Sequence, residues 1–231
     1  MSLQASHGQK FFDHFQMGEG DYVKAQGDYL LHKAAFEDFQ KMEKAAKADG
    51  INLTILSSLR DFDHQLAIWN GKASGERVIR DDDEMIVNIM DFSKEEIMRA
   101  IMRFIAVPGL SRHHFGTDVD LFDKDAIEEG VRVSLVASEY EPEGPFAKLS
   151  QWLVQNCEDY GFYLPYSHDN GKLAREPWHI SHKATVQEHT DKMTYDFMLP
   201  FYEQFTEKEF QLVEQVKEHL EEIIADYVTP Y

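Results

Sequence analysis

The chain predicts an α+β domain in which a small antiparallel sheet is flanked by helices. Three observations carry that expectation. Apolar residues recur at helical spacing in several separate stretches, a few short runs of alternating apolar and polar residues fall among them without strict βα alternation, and Gly and Pro punctuate the junctions. With 231 residues and 43% hydrophobic content, the chain can bury a substantial core as a single domain over 1–231.

The elements follow in order. Residues 28–48 set Leu31, Ala35, Phe39, Met42 and Ala46 on one helical stripe, and Gly50 follows as a terminator. Ile51, Leu53 and Ile55 alternate with Asn52 and Thr54, the pattern of a strand that runs into Ser57, Ser58 and Leu59 and leaves Arg60 at its end. Residues 63–69 read as a helix carrying Gln65, and the acidic run Arg80-Asp81-Asp82-Asp83-Glu84 reads as a surface loop able to bend over a cleft. Ser93 and Glu96 form a capping box ahead of Ile97, Ile101, Phe104 and Ile105, and Pro108 with Gly109 stops that helix just before Ser111. Residues 119–122 look like a strand, and the two prolines and one glycine of 139–145 suit an irregular crossing loop. A helix over 146–160 points Leu149, Leu153 and Cys157 inward and ends at Gly161, before Phe162-Tyr163-Leu164. Residues 178–181 make the last strand. Thr206 and Glu209 form a second capping box, opening an amphipathic helix over about 206–228 with Phe210, Val213, Val216, Leu220 and Ile224 on one stripe. A helix docked on the core is the expectation, with a partner-binding helix as the alternative.

The formal charge of −19, from 23 basic and 42 acidic residues, disfavours binding to nucleic acid or to an anionic membrane, because phosphate contacts draw their affinity from Lys and Arg. It describes a solvated acidic surface first and the steering of a cationic substrate second. Cys157 is the only cysteine, so no intrachain disulfide can form. The first ten residues hold no apolar run of signal-peptide length, and no stretch is long enough to span a bilayer. The expectation is therefore a cytoplasmic protein without membrane insertion; a leader removed and replaced by Met1-Ser2-Leu3 would make it periplasmic instead. Oligomeric state is not legible in these features.

Three short stretches carry the chemistry: Ser111-Arg112-His113-His114-Phe115-Gly116-Thr117-Asp118-Val119-Asp120, then Glu176-Pro177-Trp178-His179, with Ser57-Ser58-Leu59-Arg60 and Gln65 upstream. A catalytic zinc holds three protein ligands and leaves a fourth position to water, whose pKa falls to about 7. Two imidazoles and a carboxylate supply such a set, a further carboxylate can take the proton from the attacking water, and a guanidinium can hold the negative oxygens in a fork. Glu176 suits the second role and Arg60 the third. Spacing alone leaves the ligands open. Asp118 and Asp120 lie two apart and project from the same face of a strand, and His113 adjoins His114. Gly116 permits the tight turn or positive φ that would bring the chain back on itself, and Pro177 makes the strand irregular or late near Glu176.

These residues resemble the LAS zinc peptidases, which include the VanY-type D-alanyl-D-alanine carboxypeptidases. That family's pattern of Ser-x-His, two residues, Gly, three residues, Asp, and later Glu-x-Trp-His is met at Ser111, His113, Gly116, Asp120, Glu176, Trp178 and His179. Ser58-Leu59-Arg60 with Gln65 is similar to the family's Arg-containing segment, and the resemblance spans roughly residues 50–183. It implies the Hedgehog/DD-peptidase-like fold, one Zn2+ per chain on His113, Asp120 and His179, Glu176 as the catalytic base, and Arg60 binding the substrate's terminal carboxylate or polarising the scissile carbonyl. Arg60, Gln65 and Ser111 are the implied substrate contacts, although Ser111 could serve only the backbone of the motif. The implied reaction is removal of a terminal D-amino acid from peptidoglycan-type stem peptides, as a D,D- or L,D-carboxypeptidase. In the cytoplasm the substrate would be free muropeptides, which favours L,D cleavage of tetrapeptides. The alternatives are an endopeptidase or dipeptidase of the same family, or a non-catalytic binding module whose zinc recruits a fourth protein ligand such as His114 or Asp118. Trp178 is expected to pack and so fix the neighbouring ligand. Asp118 departs from the pattern: many relatives have a small residue such as Ala there, which alters the local electrostatics.

Overall fold

The computed structural model describes residues 6–228. Helix α1 (His7–Phe15) starts at Ser6, whose hydroxyl accepts a hydrogen bond from the Gln9 amide. A two-stranded ribbon follows, β1 (Tyr22–Lys24) against β2 (Leu30–His32), and leads into α2 (Lys33–Ala48). The helix expected over 28–48 therefore begins five residues late. Leu31 pairs with Val23 across the ribbon, and His32 stays extended while its Nδ1 accepts from the Ala34 amide at 3.2 Å. Apolar spacing could not reveal this start, because Leu31 is buried in either conformation.

Strand β3 (Leu53–Ser57) gives way to α3 (Phe62–Ala73), longer than the expected 63–69 and capped by the Asp61 carboxylate. The acidic run forms the tip of a hairpin rather than a simple loop, between β4 (Ile79–Arg80) and β5 (Ile86–Val87). It bends towards Arg103, whose Nε donates to Asp82 at 2.6 Å. The Ser93/Glu96 capping box opens α4 (Lys94–Met102), which ends before Phe104 and Ile105 instead of including them. A single 3-10 turn, Arg112–Phe115, precedes β6 (Asp118–Asp123). Helix α5 (Ala147–Asn156) tightens into a 3-10 turn at Cys157–Tyr160 and stops at Gly161. Strands β7 (Phe162–Tyr163) and β8 (His179–His182) complete the main sheet, followed by α6 (Lys183–Thr190) and α7 (Tyr195–Tyr202).

The C-terminal region departs most from expectation. Glu209 Oε2 accepts from the Thr206 amide and hydroxyl at 2.9 and 2.7 Å, but the Glu209 amide donates to the Thr206 carbonyl, so only half of the expected capping box forms and the chain is diverted within a turn. Helix α3 takes the backbone groups that a continuous helix would pair internally: Trp69 Nε1 donates to the Gln211 carbonyl, and the Asn70 amide pairs with the Glu209 carbonyl and the Gln211 N–H. Leu212 adopts φ 65°, and helix resumes as α8 (Val213–Glu218) and α9 (Leu220–Ile223) before a π-helical turn. Phe210, Val213, Val216 and Leu220 are buried and Ile224 is half-buried against the same cluster, with Ile223 the more buried neighbour, so the stripe is docked on this chain's own core. Among the described residues, no helix is long and apolar enough to cross a membrane.

The main sheet is wholly antiparallel in the order β3-β6-β8-β7. Alternation along a strand gives it one apolar and one polar face. Leu53, Ile55, Val119, Leu121 and Ile180 pack with Phe39, Met42, Leu149 and Leu153 of α2 and α5. A second apolar cluster, from α1, α3, α4, α7, α8 and α9, centres on Phe11, Phe62, Trp69, Met98, Phe201 and Phe210. Asp118, Asp120, His179 and Ser181 occupy the sheet face opposite Val119, Leu121 and Ile180, and all four are buried.

Gly116 sets the approach to β6. It has φ +65°, its carbonyl accepts from the His32 amide at 2.8 Å, and a Cβ there would meet Tyr22 at 3.0 Å and the His32 backbone N at 3.1 Å. Gly116→Ala is therefore expected to cost about 1–3 kcal/mol from the left-handed backbone, with the backbone clash adding to it. Urea denaturation measures the loss, and an unchanged midpoint would contradict it.

Candidate active site

Strand register brings the polar residues together. Asp120 lies opposite Ser57 of β3 on one side and opposite His179 of β8 on the other. The register of β3 shifts between Ile55 and Ser57, and the chain then leaves the sheet towards Arg60. His113 reaches the same place from the 3-10 turn, held by a hydrogen bond from the Arg60 amide to its carbonyl at 3.0 Å. Ligand atoms of His113, Asp120 and His179 all lie within 4.8 Å of one another, and the three side chains are buried. His113 Nε2 is 3.3 Å from Asp120 Oδ2, and His179 Nδ1 is 3.1 Å from Asp120 Oδ1.

The far nitrogen of each ring is held by an acceptor. His113 Nδ1 is 2.9 Å from the Ser58 carbonyl, and His179 Nε2 is 2.8 Å from Asp118 Oδ1. A carbonyl or carboxylate can only accept, so these nitrogens carry the protons, and in the neutral rings His113 Nε2 and His179 Nδ1 offer lone pairs towards Asp120. Asp120 Oδ1 is buried and, despite its closeness to His179, is aligned with no hydrogen-bond donor. A buried carboxylate oxygen without a partner is costly. With His113 Nε2 beside one oxygen of Asp120 and His179 Nδ1 beside the other, two imidazole nitrogens and a carboxylate form the donor set that a small divalent cation would satisfy, so the residues present fit a metal ion.

Position separates the members of each pair. Asp118 and Asp120 share a face, but Asp118 meets His179 at Nε2 whereas Asp120 meets it at Nδ1 and also adjoins His113 Nε2. His114 turns into the second apolar cluster against Phe11, its Nδ1 2.6 Å from the Arg60 carbonyl and its Nε2 accepting from the Gly109 amide at 3.0 Å. Burial pushes its pKa down to about 3, so it remains a neutral core residue.

Electrostatics at the cluster run against burial. Desolvation would raise the Asp120 carboxyl, yet His113 and His179 hold it far below the usual carboxylate range. Asp118 is likewise held low by Arg112 and His179 in spite of complete burial. Burial opposes a charge on His179, but Asp118, Asp120 and Glu176 outweigh it and push its pKa well above the ordinary value.

Glu176 precedes β8 in a turn closed by the His179 amide donating to its carbonyl at 3.1 Å, so the strand-face argument does not apply to it. Its Oε2 stands 3.4 Å from His179 Nδ1, on the side of the ring that faces Asp120. Arg60 Nη2 is 3.6 Å from Asp120 Oδ2, and the guanidinium is braced by Gln65 Oε1 and Ser57 Oγ, both at 2.9 Å. Gln65, expected among the substrate contacts, is fully buried with both ends of its amide engaged, the other end donating to the Ala106 carbonyl. Ser111 is also buried, and its carbonyl accepts from the His114 amide. Trp178 packs in the α2/α5 cluster against Tyr140.

Sequence reasoning missed the support around the cluster. Arg112, the Ser58 carbonyl, Ser181 and Tyr166, whose ring lies 4.8 Å from that of His179, carried no signal of their own. The pairing of Arg112 with Asp118 joins residues six apart across a turn, which no helical or strand period reveals.

Comparison with known proteins agrees with the residue pattern. A protein of Haemophilus influenzae, described only as uncharacterized, is 32% identical over 126 residues, covering 54% of this chain and 94% of its own length. The putative carboxypeptidase YodJ of Bacillus subtilis is 25% identical over 164 residues, 68% of this chain but only 47% of that protein. Among solved structures, the vancomycin-resistance D,D-pentapeptidase VanY in complex with Zn(II) is 20% identical with a TM-score of 0.51, covering 73% of this chain and 81% of that one. The LdcB LD-carboxypeptidase is 20% identical with a TM-score of 0.52, covering 77% and 76%. At these identities the likeness is one of fold: a mixed α/β peptidase fold with small antiparallel sheets. The sequence model of the VanY D-alanyl-D-alanine carboxypeptidases matches residues 28–185, more than half of the chain. By that match, over a stretch holding the His113, Asp120 and His179 cluster together with Glu176 and Arg60, the chain belongs to the VanY D-alanyl-D-alanine carboxypeptidase family.

Proposed function

We propose that the protein is a zinc-dependent carboxypeptidase that removes a terminal D-amino acid from peptidoglycan-type stem peptides. The observation that carries this reading is the convergence of His113 Nε2, Asp120 and His179 Nδ1 on one buried point, with Glu176 and Arg60 beside it. His113, Asp120 and His179 would hold one zinc ion. A zinc ion there would supply Lewis acidity, activating water at neutral pH and polarising the scissile carbonyl. His114 and Asp118, the two candidates for a fourth protein ligand, are committed elsewhere, which supports a position left open for water and substrate over a closed structural site.

Glu176 takes the proton from the attacking water as the new C–O bond forms, and passes it to the amine that leaves as the C–N bond breaks. Arg60, held in place by Gln65 and Ser57, meets the negative charge that develops on the carbonyl oxygen; its closeness to Asp120 favours this role over a grip on a distant terminal carboxylate. Gln65 serves the reaction through Arg60. The substrate class is supported by the family and by its fold neighbours, one of which is VanYB in complex with D-alanine-D-alanine.

Incubation with free stem pentapeptide and tetrapeptide, read by mass spectrometry with and without chelator, is expected to show loss of a single terminal D-alanine that the chelator suppresses. Loss from the pentapeptide marks D,D cleavage and loss from the tetrapeptide marks L,D cleavage. Release of an internal dipeptide would replace this reading with an endopeptidase. Glu176→Gln, which cannot accept the proton, is expected to keep its metal and lose about 10²–10⁴-fold in turnover; unchanged turnover would remove Glu176 from its role. His113→Ala and His179→Ala are each expected to lose bound zinc by elemental analysis, and retention of one equivalent would refute the ligand set.

A further inference from the structure

The surroundings of Asp118 are built around its charge. The carboxylate is fully buried and accepts four hydrogen bonds: His179 Nε2 at 2.8 Å and Arg112 Nε at 3.1 Å on Oδ1, Thr117 Oγ1 at 2.6 Å and Ser181 Oγ at 3.0 Å on Oδ2. Arg112 is itself buried, donates from Nη2 to Ser181 Oγ at 2.7 Å and to the Tyr163 hydroxyl, and lies over the Tyr163 ring at 5.4 Å. The negative charge beside His179 is thus matched by a fixed positive charge, with no solvent between them.

We infer that Asp118 is a positioning residue for the metal centre, its carboxylate gripping His179 Nε2–H so that His179 presents Nδ1 to the ion, with Arg112 keeping that carboxylate in place. The inference rests on the zinc reading above. Its physical reason is that a histidine ring is free to rotate about two bonds and to exchange tautomers, and only the nitrogen that lacks a proton can bind a metal. An acceptor on Nε2 removes both freedoms, and an anionic acceptor also makes Nδ1 a stronger base. A small side chain at position 118 would leave Nε2–H to find another partner and Arg112 buried without its counter-charge. Arg112 and Asp118 therefore form a matched, buried pair of opposite charges. His113 is oriented differently, by the neutral Ser58 carbonyl, so the charged brace acts on one imidazole only.

Zinc affinity, measured by competition with a chromophoric chelator, tests the inference without relying on turnover. Asp118→Asn keeps an acceptor but loses the charge and is expected to bind zinc about 10–100-fold more weakly than the wild type. Asp118→Ala should be weaker than Asp118→Asn. Where loss of the anion beside Arg112 prevents folding, the double variant Arg112→Gln/Asp118→Asn removes both charges and is expected to show the same loss of affinity. Independently of any variant, nitrogen-15 NMR of the zinc-loaded wild type should show His179 protonated at Nε2, with a downfield, exchange-protected ring proton. Wild-type affinity in Asp118→Asn, or a His179 proton on Nδ1, would overturn the inference while leaving the zinc site standing. A wild-type protein that takes up no zinc would overturn both.

Discussion

The antiparallel register between β6 and β8 is the constraint on which the candidate site depends. It sets Asp120 opposite His179, places Asp118 and Ser181 opposite one another on the same face, and leaves Val119 and Ile180 to anchor both strands in the apolar layer beneath. A slip of one residue would reverse every side chain, sending the carboxylates into the cluster around Phe39 and Leu149. The apolar residues between the functional ones therefore hold the register that the functional ones need.

Placing this polar face between two apolar layers carries a cost. An isolated carboxylate or guanidinium loses several kcal/mol when taken out of water, and breaking a buried pair by removing one partner costs about 3–5 kcal/mol. The structure meets that cost by satisfying each charge from several sides. Asp118 is saturated, Arg112 is engaged by Asp118, Ser181 and Tyr163, and Arg60 is braced by Gln65 and Ser57. The exception is Asp120 Oδ1, left without a donor at the centre of the cluster. An unpartnered carboxylate oxygen beside two imidazole nitrogens is the arrangement that a cation would satisfy.

The two imidazoles show how the same end is reached by different local means. Each has its outer nitrogen tied, one to a backbone carbonyl of the chain leaving β3 and one to a buried carboxylate on β6. Neither tie is close in sequence. The hydrophobic helices contribute at a distance: α3 supplies Gln65 and Trp69, so the helix that braces Arg60 also redirects the C-terminal segment onto the core.

By itself the sequence determined what depends on local chemistry. The order and spacing of Ser111, His113, Gly116, Asp120, Glu176 and His179 named the family, and apolar periodicity located α2, α4, α5 and β3, because both signals are written in residues near one another. It could not see the start of α2, where a ribbon partner overrides helical spacing, or the break at Leu212, where α3 captures backbone groups from 139 to 142 residues away along the chain. Only the tertiary structure gathers Asp120 rather than Asp118, and His113 rather than His114, into the cluster with His179. Within each pair the side chains are chemically the same, and what separates them is the neighbour that each one meets across the sheet or across the core.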